Sequence, residues 1–150
     1  MSFEDLKRTV VENSIANDYI VAKNEWFLSD IYYDEEWDKC SCGHDIKEVC
    51  WIQNTNNGNR LKVGNSCIKQ FIGIDMTGVF NGLKRIIDSY GNTAANAALI
   101  DYASDKNIIN SWEESFLTST KNKRILSSKQ YLNRVKINKK IITRILFTNR

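Results

Sequence analysis

The chain of 150 residues has no proline, a single histidine and no uninterrupted apolar run longer than four residues. The lack of proline excludes Pro-rich linkers, and the short apolar runs exclude a membrane-spanning helix, which needs about 20 apolar residues. The first residues carry acidic side chains and lack the apolar segment of a secretory signal. We therefore expect a cytoplasmic protein that has no membrane partner.

Acidic residues are missing from the end of the chain, although the whole sequence has a net charge of only +3. Residues 1–114 contain 11 basic and 18 acidic residues, whereas residues 115–150 contain 10 basic residues and no acidic one. An acid-free basic segment is typical of proteins that bind a polyanion. The alternative is a solvated amphipathic helix in a protein from an AT-rich genome.

The composition, with 42% apolar and 26% charged residues, is ordinary for a small globular protein. Apolar spacing predicts a helix over residues 3–14, and aromatic and β-branched residues predict extended structure over 19–33. The acidic residues that follow predict a solvated loop. Two short strands, 46–53 and 60–63, flank Asn57-Gly58, a pair that favours a hairpin turn.

A short helix is predicted from Cys67 to about Phe71, and the second half of the chain is predicted to be helical. Four helices are predicted there. The first has one apolar face, and the second spans residues 94–103. The third begins with a capping box of Ser111 and Glu114, and the last with a capping box of Ser127 and Gln130. The apolar face of the first consists of Val79, Phe80, Leu83, Ile86, Ile87 and Tyr90. These elements predict an α+β fold divided into residues 1–76 and 77–150, which can also pack as one domain.

The four cysteines Cys40, Cys42, Cys50 and Cys67 lie within 28 residues. Because cytosolic thiols are kept reduced, this pattern favours a metal site over disulfides. A knuckle over residues 40–43, a hairpin that carries Cys50 and a helix that starts at Cys67 predict a small treble-clef-like module. Four thiolates around one ion are typical of structural Zn²⁺. The alternative is a cluster of buried, reduced thiols.

His44 is an alternative fourth ligand in place of Cys50, or else a partly exposed group beside the metal ligands. Since it is the only histidine, any catalytic centre that needs one would have to use it. The sequence also lacks a P-loop, a dinucleotide-binding glycine fingerprint and an HExxH motif. We therefore predict that the protein is not an enzyme.

The run CSCGHDIKEVCWIQNTNNGNRLKVGNSCIKQF resembles a CxCG…C-x-I-x-N…VGxxC zinc-binding module in uncharacterised proteins of phages, bacteria and large DNA viruses. The matching positions are Cys40, Cys42, Gly43, Cys50, Ile52, Asn54, Val63, Gly64, Cys67, Ile68 and Phe71. The preceding AKNEW, and a WExxF element followed by LSxKQ, are also similar to segments of such proteins. The resemblance implies zinc on all four cysteines and a phage or mobile-element origin, hence the host cytoplasm, but no activity.

The last helix is predicted to contact nucleic acid. Its apolar arc would pack against the protein, opposite a basic stripe. The arc consists of Tyr131, Leu132, Val135, Ile142, Ile145 and Leu146, and Ile137 and Ile141 widen it. Such a helix suits non-specific contact with DNA or RNA phosphates. The predicted contact residues are Lys121, Lys123, Arg124, Lys129, Arg134, Lys136, Lys139, Lys140 and Arg144.

Six aromatic residues cluster around the acidic stretch: Trp26, Phe27, Tyr32, Tyr33, Trp37 and Trp51. They fit a hydrophobic core, or alternatively a stacking or docking surface. Our main prediction is a non-enzymatic, zinc-stabilised nucleic-acid-binding accessory protein encoded by a phage. The alternative is a protein-binding regulator or inhibitor of a host machine that uses Asp34, Glu35, Glu36 and Trp37.

Overall fold

The computed structural model describes residues 2–148 and confirms the expected α+β class. The chain divides into two compact units, Met1–Met76 and Thr77–Arg150. The N-terminal unit contains α1 (Phe3–Glu12), α2 (Tyr19–Ala22), a 3-10 turn (Lys23–Glu25), β1 (Trp26–Lys39), β2 (Asp45–Asn54), β3 (Arg60–Gly64) and α3 (Asn65–Ile72). The C-terminal unit contains α4 (Thr77–Asp88), α5 (Ala97–Asp105), α6 (Ser111–Thr120) and α7 (Ser128–Thr148).

The segment before the sheet is helical at its start, so the extended structure predicted from residue 19 is wrong up to Glu25. Ile20 and Val21 favour strands by propensity, but both side chains are exposed and gain nothing from a sheet. Tertiary contacts decide instead. Ala22 is fully buried, and the Glu25 carboxylate accepts the backbone N–H groups of Ile15 and Ala16.

The three strands form an antiparallel sheet in the order β1-β2-β3. β1 extends through the acidic stretch that was predicted to be a loop, with register shifts between Leu28 and Asp30 and between Tyr33 and Asp38. The predicted β2–β3 hairpin is confirmed, and Gly58 in its turn has a φ of 76°. Backbone pairing places Cys50 between Ile31 and Val63.

α3 begins at Asn65, two residues earlier than predicted, so Cys67 lies in its first turn. Gly64 precedes the helix and leaves no room for a side chain, since an added Cβ would lie 2.9 Å from Ile46 Cγ2. The helix ends at Gly73, whose φ of 73° is a left-handed conformation that favours glycine. The knuckle, hairpin and short helix therefore follow one another as the sequence predicted.

In the C-terminal unit, three predictions of helix boundaries need correction. α5 begins at Ala97 and not at residue 94, because the Asn96 side chain caps it. Tyr90 does not extend the buried face of α4, because it lies beyond the helix with a φ of 55° and is 83% exposed. The capping box of α6 consists of Asn110 and Glu113, one residue before the predicted pair. The capping box of α7 is confirmed, since Ser127 Oγ accepts the N–H of Gln130 at 3.1 Å.

No helix in residues 2–148 is long and apolar enough to cross a membrane.

Candidate metal centre and basic surface

Three cysteines come together beside the sheet of the N-terminal unit. The sulfur atoms of Cys40, Cys42 and Cys67 lie within 4.8 Å of one another. Cys40 and Cys42 are buried, and Cys67 is partly exposed in the first turn of α3. All four cysteines are free thiols.

The knuckle that carries Cys40 and Cys42 is shaped by backbone hydrogen bonds. The Gly43 N–H donates to the Cys40 carbonyl, and the Cys40 N–H donates to the His44 carbonyl, both at 2.9 Å. Gly43 has a φ of 97°, which glycine adopts without the strain of a side chain. The Ser41 N–H and hydroxyl both donate to the Lys62 carbonyl, at 2.8 Å, and so attach the knuckle to β3.

The environment of Cys40 favours its thiolate. A hydrogen bond from Cys67 and the N–H groups of Cys42 and Gly64, at 3.4 and 3.3 Å from the sulfur, lower the pKa of Cys40. The pKa of Cys67 is raised, first by its hydrogen bond with Cys40 and then by burial. Burial also raises the pKa of Cys42. The hydrogen bonds of the cluster thus favour the thiolate of Cys40 over those of Cys42 and Cys67.

Neither Cys50 nor His44 belongs to the cluster of three, but the two side chains differ in burial. Cys50 is fully buried on β2 and does not belong to the group of three sulfurs. Burial, together with Glu48 and Cys40, raises the pKa of the Cys50 thiol to about 12. His44 is exposed, and its Nδ1 lies 3.1 Å from Cys42 Sγ. Of the two predicted fourth ligands, only His44 has a side chain that can turn without disturbing the core.

The donor set fits a metal ion. Tetrahedral coordination with metal–sulfur bonds of about 2.3 Å places sulfurs roughly 3.8 Å apart, which lies within the observed spread of the three thiols. Thiols at this spacing suit a thiophilic ion, whereas Mg²⁺ and Ca²⁺ prefer oxygen donors. Cys40, Cys42 and Cys67 can therefore hold a metal ion.

The basic residues of α7 lie mostly on its exposed side. Lys129, Lys136, Lys139, Lys140 and Arg144 are exposed, as are Lys123 and Arg124 in the preceding loop, while Lys121 is half-buried. Lys140 Nζ pairs with Glu113 at 2.9 Å, so part of its charge is neutralised within the protein. The exposed cations that extend along the helix form what we call the basic stripe: Lys129, Lys136, Lys139, Lys140 and Arg144.

Arg134 does not belong to the basic stripe, because its side chain is only 8% exposed. Its Nη2 donates to the Thr120 carbonyl at 2.8 Å. The buried face of α7 consists of Arg134, Ile137, Asn138, Ile141 and Ile145. Three residues of the predicted apolar arc, Ile137, Ile141 and Ile145, lie on this face, whereas Leu132 of the same arc is 65% exposed.

Polar contacts explain why two polar side chains lie on the buried face of α7. Asn138 is fully buried, and its Nδ2 donates to the carbonyls of Gly91 at 2.9 Å and Thr93 at 2.8 Å. Buried carbonyls need hydrogen-bond donors, so Asn138 and Arg134 occupy positions that hydrophobicity alone assigns to apolar residues. The pattern of apolar residues in the sequence therefore does not predict that Asn138 and Arg134 are buried.

The aromatic residues divide between core and surface. Trp26 and Tyr32 are 5% and 1% exposed, which supports the core interpretation for these two. Trp37 is 67% exposed, with Lys47 Nζ 4.8 Å from its ring centre. Glu35 and Glu36 beside it are exposed, and Asp34 is half-buried. The predicted protein-binding residues thus lie together at the bulged end of β1.

Comparison of the chain with models of protein families, with curated proteins and with solved structures finds no match.

Proposed function

We propose that the protein is a non-enzymatic nucleic-acid-binding accessory protein whose N-terminal unit is stabilised by structural Zn²⁺. The observation that carries the nucleic-acid part is the basic stripe, five exposed cations on one helix of a segment without acidic residues. One face of α7 packs against the protein, so the cations on the opposite face are exposed and can contact phosphates. A phage origin stays a prediction that rests on the sequence resemblance.

Electrostatic contact of this kind gives binding without sequence preference. Each phosphate that a lysine or arginine neutralises releases a counterion, so the affinity falls steeply with salt. For the basic stripe we expect dissociation constants of roughly 1–100 μM at physiological salt. The side chains of α7 offer no pattern that predicts recognition of base edges.

The nucleic-acid proposal is tested by fluorescence anisotropy with short single- and double-stranded DNA and RNA over a salt series. The variant Lys136→Glu/Arg144→Glu reverses two members of the basic stripe and leaves the Lys140–Glu113 pair intact. We expect it to bind about tenfold or more weakly and to reduce the salt slope on duplex DNA by about 2. The variant Lys69→Glu/Arg85→Glu, with the same charge change at exposed positions elsewhere, should bind as the wild type does.

Absence of binding even at low salt would overturn the nucleic-acid proposal and favour the protein-binding candidate. That candidate is supported by Trp37, a large apolar side chain that is 67% exposed among acidic neighbours. Exposed aromatic residues are frequent anchors of protein interfaces. In this case Trp37→Ala would abolish the interaction with a protein partner, and Lys136→Glu/Arg144→Glu would leave it unchanged.

For the metal centre, we propose Zn²⁺ bound by Cys40, Cys42 and Cys67, with His44 in the fourth position. The support for His44 is the 3.1 Å distance from its Nδ1 to Cys42 Sγ and the exposure that lets its ring turn. Four protein ligands leave no open position for substrate, so the ion would act by holding the knuckle, hairpin and α3 together. The binding of a structural zinc ion contributes on the order of 10 kcal/mol to the free energy of folding at neutral pH.

The choice between His44 and Cys50 is decided by competition with a chelating zinc indicator. Cys50→Ala should keep one zinc ion per chain with unchanged affinity, because the Cys50 sulfur lies outside the cluster of three. His44→Ala should weaken zinc binding more than about 100-fold, beyond the usual effect of groups that merely support a ligand. The opposite pattern would establish Cys50 as the fourth ligand, as the sequence resemblance implies.

A further inference from the structure

The Arg134 guanidinium is buried, and it has no acidic partner among residues 2–148. Nη2 has the Thr120 carbonyl as its acceptor, whereas Nε has no hydrogen-bond partner in the part of the chain that the structure describes. Burial lowers the pKa of Arg134, and no carboxylate offsets this effect. No acidic residue occurs anywhere from Ser115 to the end of the sequence.

A buried cation in this state is unusual because of its energetic cost. Buried charges are normally paired, and a guanidinium offers five donors, of which unsatisfied ones destabilise the fold. A neighbouring anion would remove this cost. Since the surrounding sequence supplies none, the arrangement indicates a ligand with negative charge.

Arg134 lines a cleft of about 550 Å³ at the start of α7. Arg124 and Ser128 also line this cleft, together with the apolar side chains of Leu126 and Leu132 and the ring of Tyr131. The Tyr131 hydroxyl pairs with Asn92 Oδ1 at 2.8 Å, which holds the ring at the cleft wall. The first turn of the 21-residue helix α7 adds partial positive charge to the same place.

We propose that this cleft binds the phosphate of a nucleotide unit, which Arg134 and Arg124 hold while the nucleoside packs against Tyr131 and Leu132. An arginine pair matches the geometry of a phosphate, and a tyrosine ring is a suitable surface for a base. The proposal rests on the nucleic-acid function above and adds to it a defined site for one nucleotide. The phosphate can belong to a free nucleotide or to a strand.

The test uses the full-length, zinc-loaded protein and isothermal titration calorimetry. The probes are adenosine monophosphate, adenosine, inorganic phosphate and a short single-stranded oligonucleotide. We expect the monophosphate to bind more tightly than inorganic phosphate and adenosine not to bind. A strand that binds well while the monophosphate fails to bind would overturn the cleft proposal and leave the basic stripe in place.

Two variants and one control locate the binding. Arg124→Met removes an exposed charge without touching the core and should weaken monophosphate binding about tenfold or more. Arg134→Met, of similar length, should abolish it. Arg85→Met, an exposed arginine outside the lining of the cleft, should bind as the wild type does.

An independent readout is the NMR signal of the Arg134 Nε–H group, which should shift on titration with monophosphate. It remains available if Arg134→Met fails to fold. Unchanged binding in Arg124→Met together with an unmoved Nε–H signal would overturn the cleft proposal. Lys136→Glu/Arg144→Glu should weaken strand binding and spare the monophosphate, so failure of the basic stripe and failure of the cleft give different results.

Discussion

At the scale of single residues, Glu25 shows how one carboxylate can hold several segments together. Its oxygens accept the N–H groups of Ile15 and Ala16, both at 2.9 Å, and the side-chain amide of Asn54 at 3.1 Å. Asn54 Oδ1 in turn accepts backbone N–H groups at the hairpin turn. The loop after α1 and the tip of the β2–β3 hairpin are therefore joined through one ionised group.

Glu25→Gln should lower the melting temperature at neutral pH, because the amide nitrogen cannot accept the second backbone N–H group. The two N–H groups are the main cause of a pKa of about 2 for Glu25, below the ordinary value of 4.5. Ionisation therefore stabilises the fold above pH 4.5, and this stabilisation is lost as the pH falls through 2.

Thermal melts between pH 7 and about pH 2 measure this effect. The difference between wild type and Glu25→Gln should be greatest near neutrality and shrink with acid. Loss of metal at low pH affects both proteins, so the difference isolates Glu25. Glu12→Gln, at an exposed position of α1, should have the melting temperature of the wild type at every pH. A difference for Glu25→Gln that does not change with pH would contradict the stabilising role of the ionised Glu25.

At the scale of elements, a glycine lets α4 approach the start of α5. Gly82 is buried, and a Cβ at this position would collide with the Asn96 side chain. Asn96 caps α5 by accepting the Leu99 N–H at 2.9 Å, and its Nδ2 donates to the Gly78 carbonyl at 2.8 Å. One asparagine thus both starts α5 and fastens it to α4.

Gly82→Ala should destabilise the C-terminal unit by about 1–2 kcal/mol, since displacing Asn96 removes the cap and leaves its partners unsatisfied. Alanine is otherwise the better helix former, so a destabilising result identifies the collision. Gly78→Ala serves for comparison in the same helix: its Cβ would lie 3.1 Å from Ala98 Cβ, a tight contact, but it leaves the Asn96 cap in place and should cost less stability. Equilibrium unfolding in urea compares the variants; equal stability of the two would refute the role of Asn96.

At the scale of the whole molecule, the two units carry opposite charge. Residues 1–76 contain 8 basic and 13 acidic residues, and residues 77–150 contain 13 basic and 5 acidic residues. The three clustered cysteines lie in the acidic unit, and the basic stripe and the cleft lie in the basic one. The proposed metal site and the proposed anion sites therefore lie in different units of the chain.

Removal of the metal should consequently loosen one unit and spare the other. In hydrogen exchange with a strong chelator present, we expect faster exchange in residues 1–76 and little change in 77–150, because each unit has its own set of buried residues. Cys67→Ser should give the same pattern without chelator. Equal acceleration along the whole chain, or none anywhere, would contradict a structural metal confined to the N-terminal unit.

Features that depend on neighbouring residues follow from the sequence alone. Asn57-Gly58 predicted the hairpin because its turn needs a positive φ, and Ser127 with Gln130 predicted the start of α7 because a capping box closes within one turn. The spacing of the four cysteines indicated a metal site, and three of them, Cys40, Cys42 and Cys67, come together. The composition of residues 115–150 indicated a basic surface.

Packing between segments that are distant in the sequence sets which side chains are buried and which ones come into contact. Arg134 and Asn138 lie on the buried face of α7 because carbonyl groups of distant segments need hydrogen-bond donors. The periodicity of apolar residues does not encode this requirement. The separation of Cys50 from the other sulfurs, and the approach of His44 to Cys42, depend on how the knuckle folds onto β3. Most of the cleft lining comes from residues 124–134, and only the packing of this segment against the turn after α4 adds Asn92 to it.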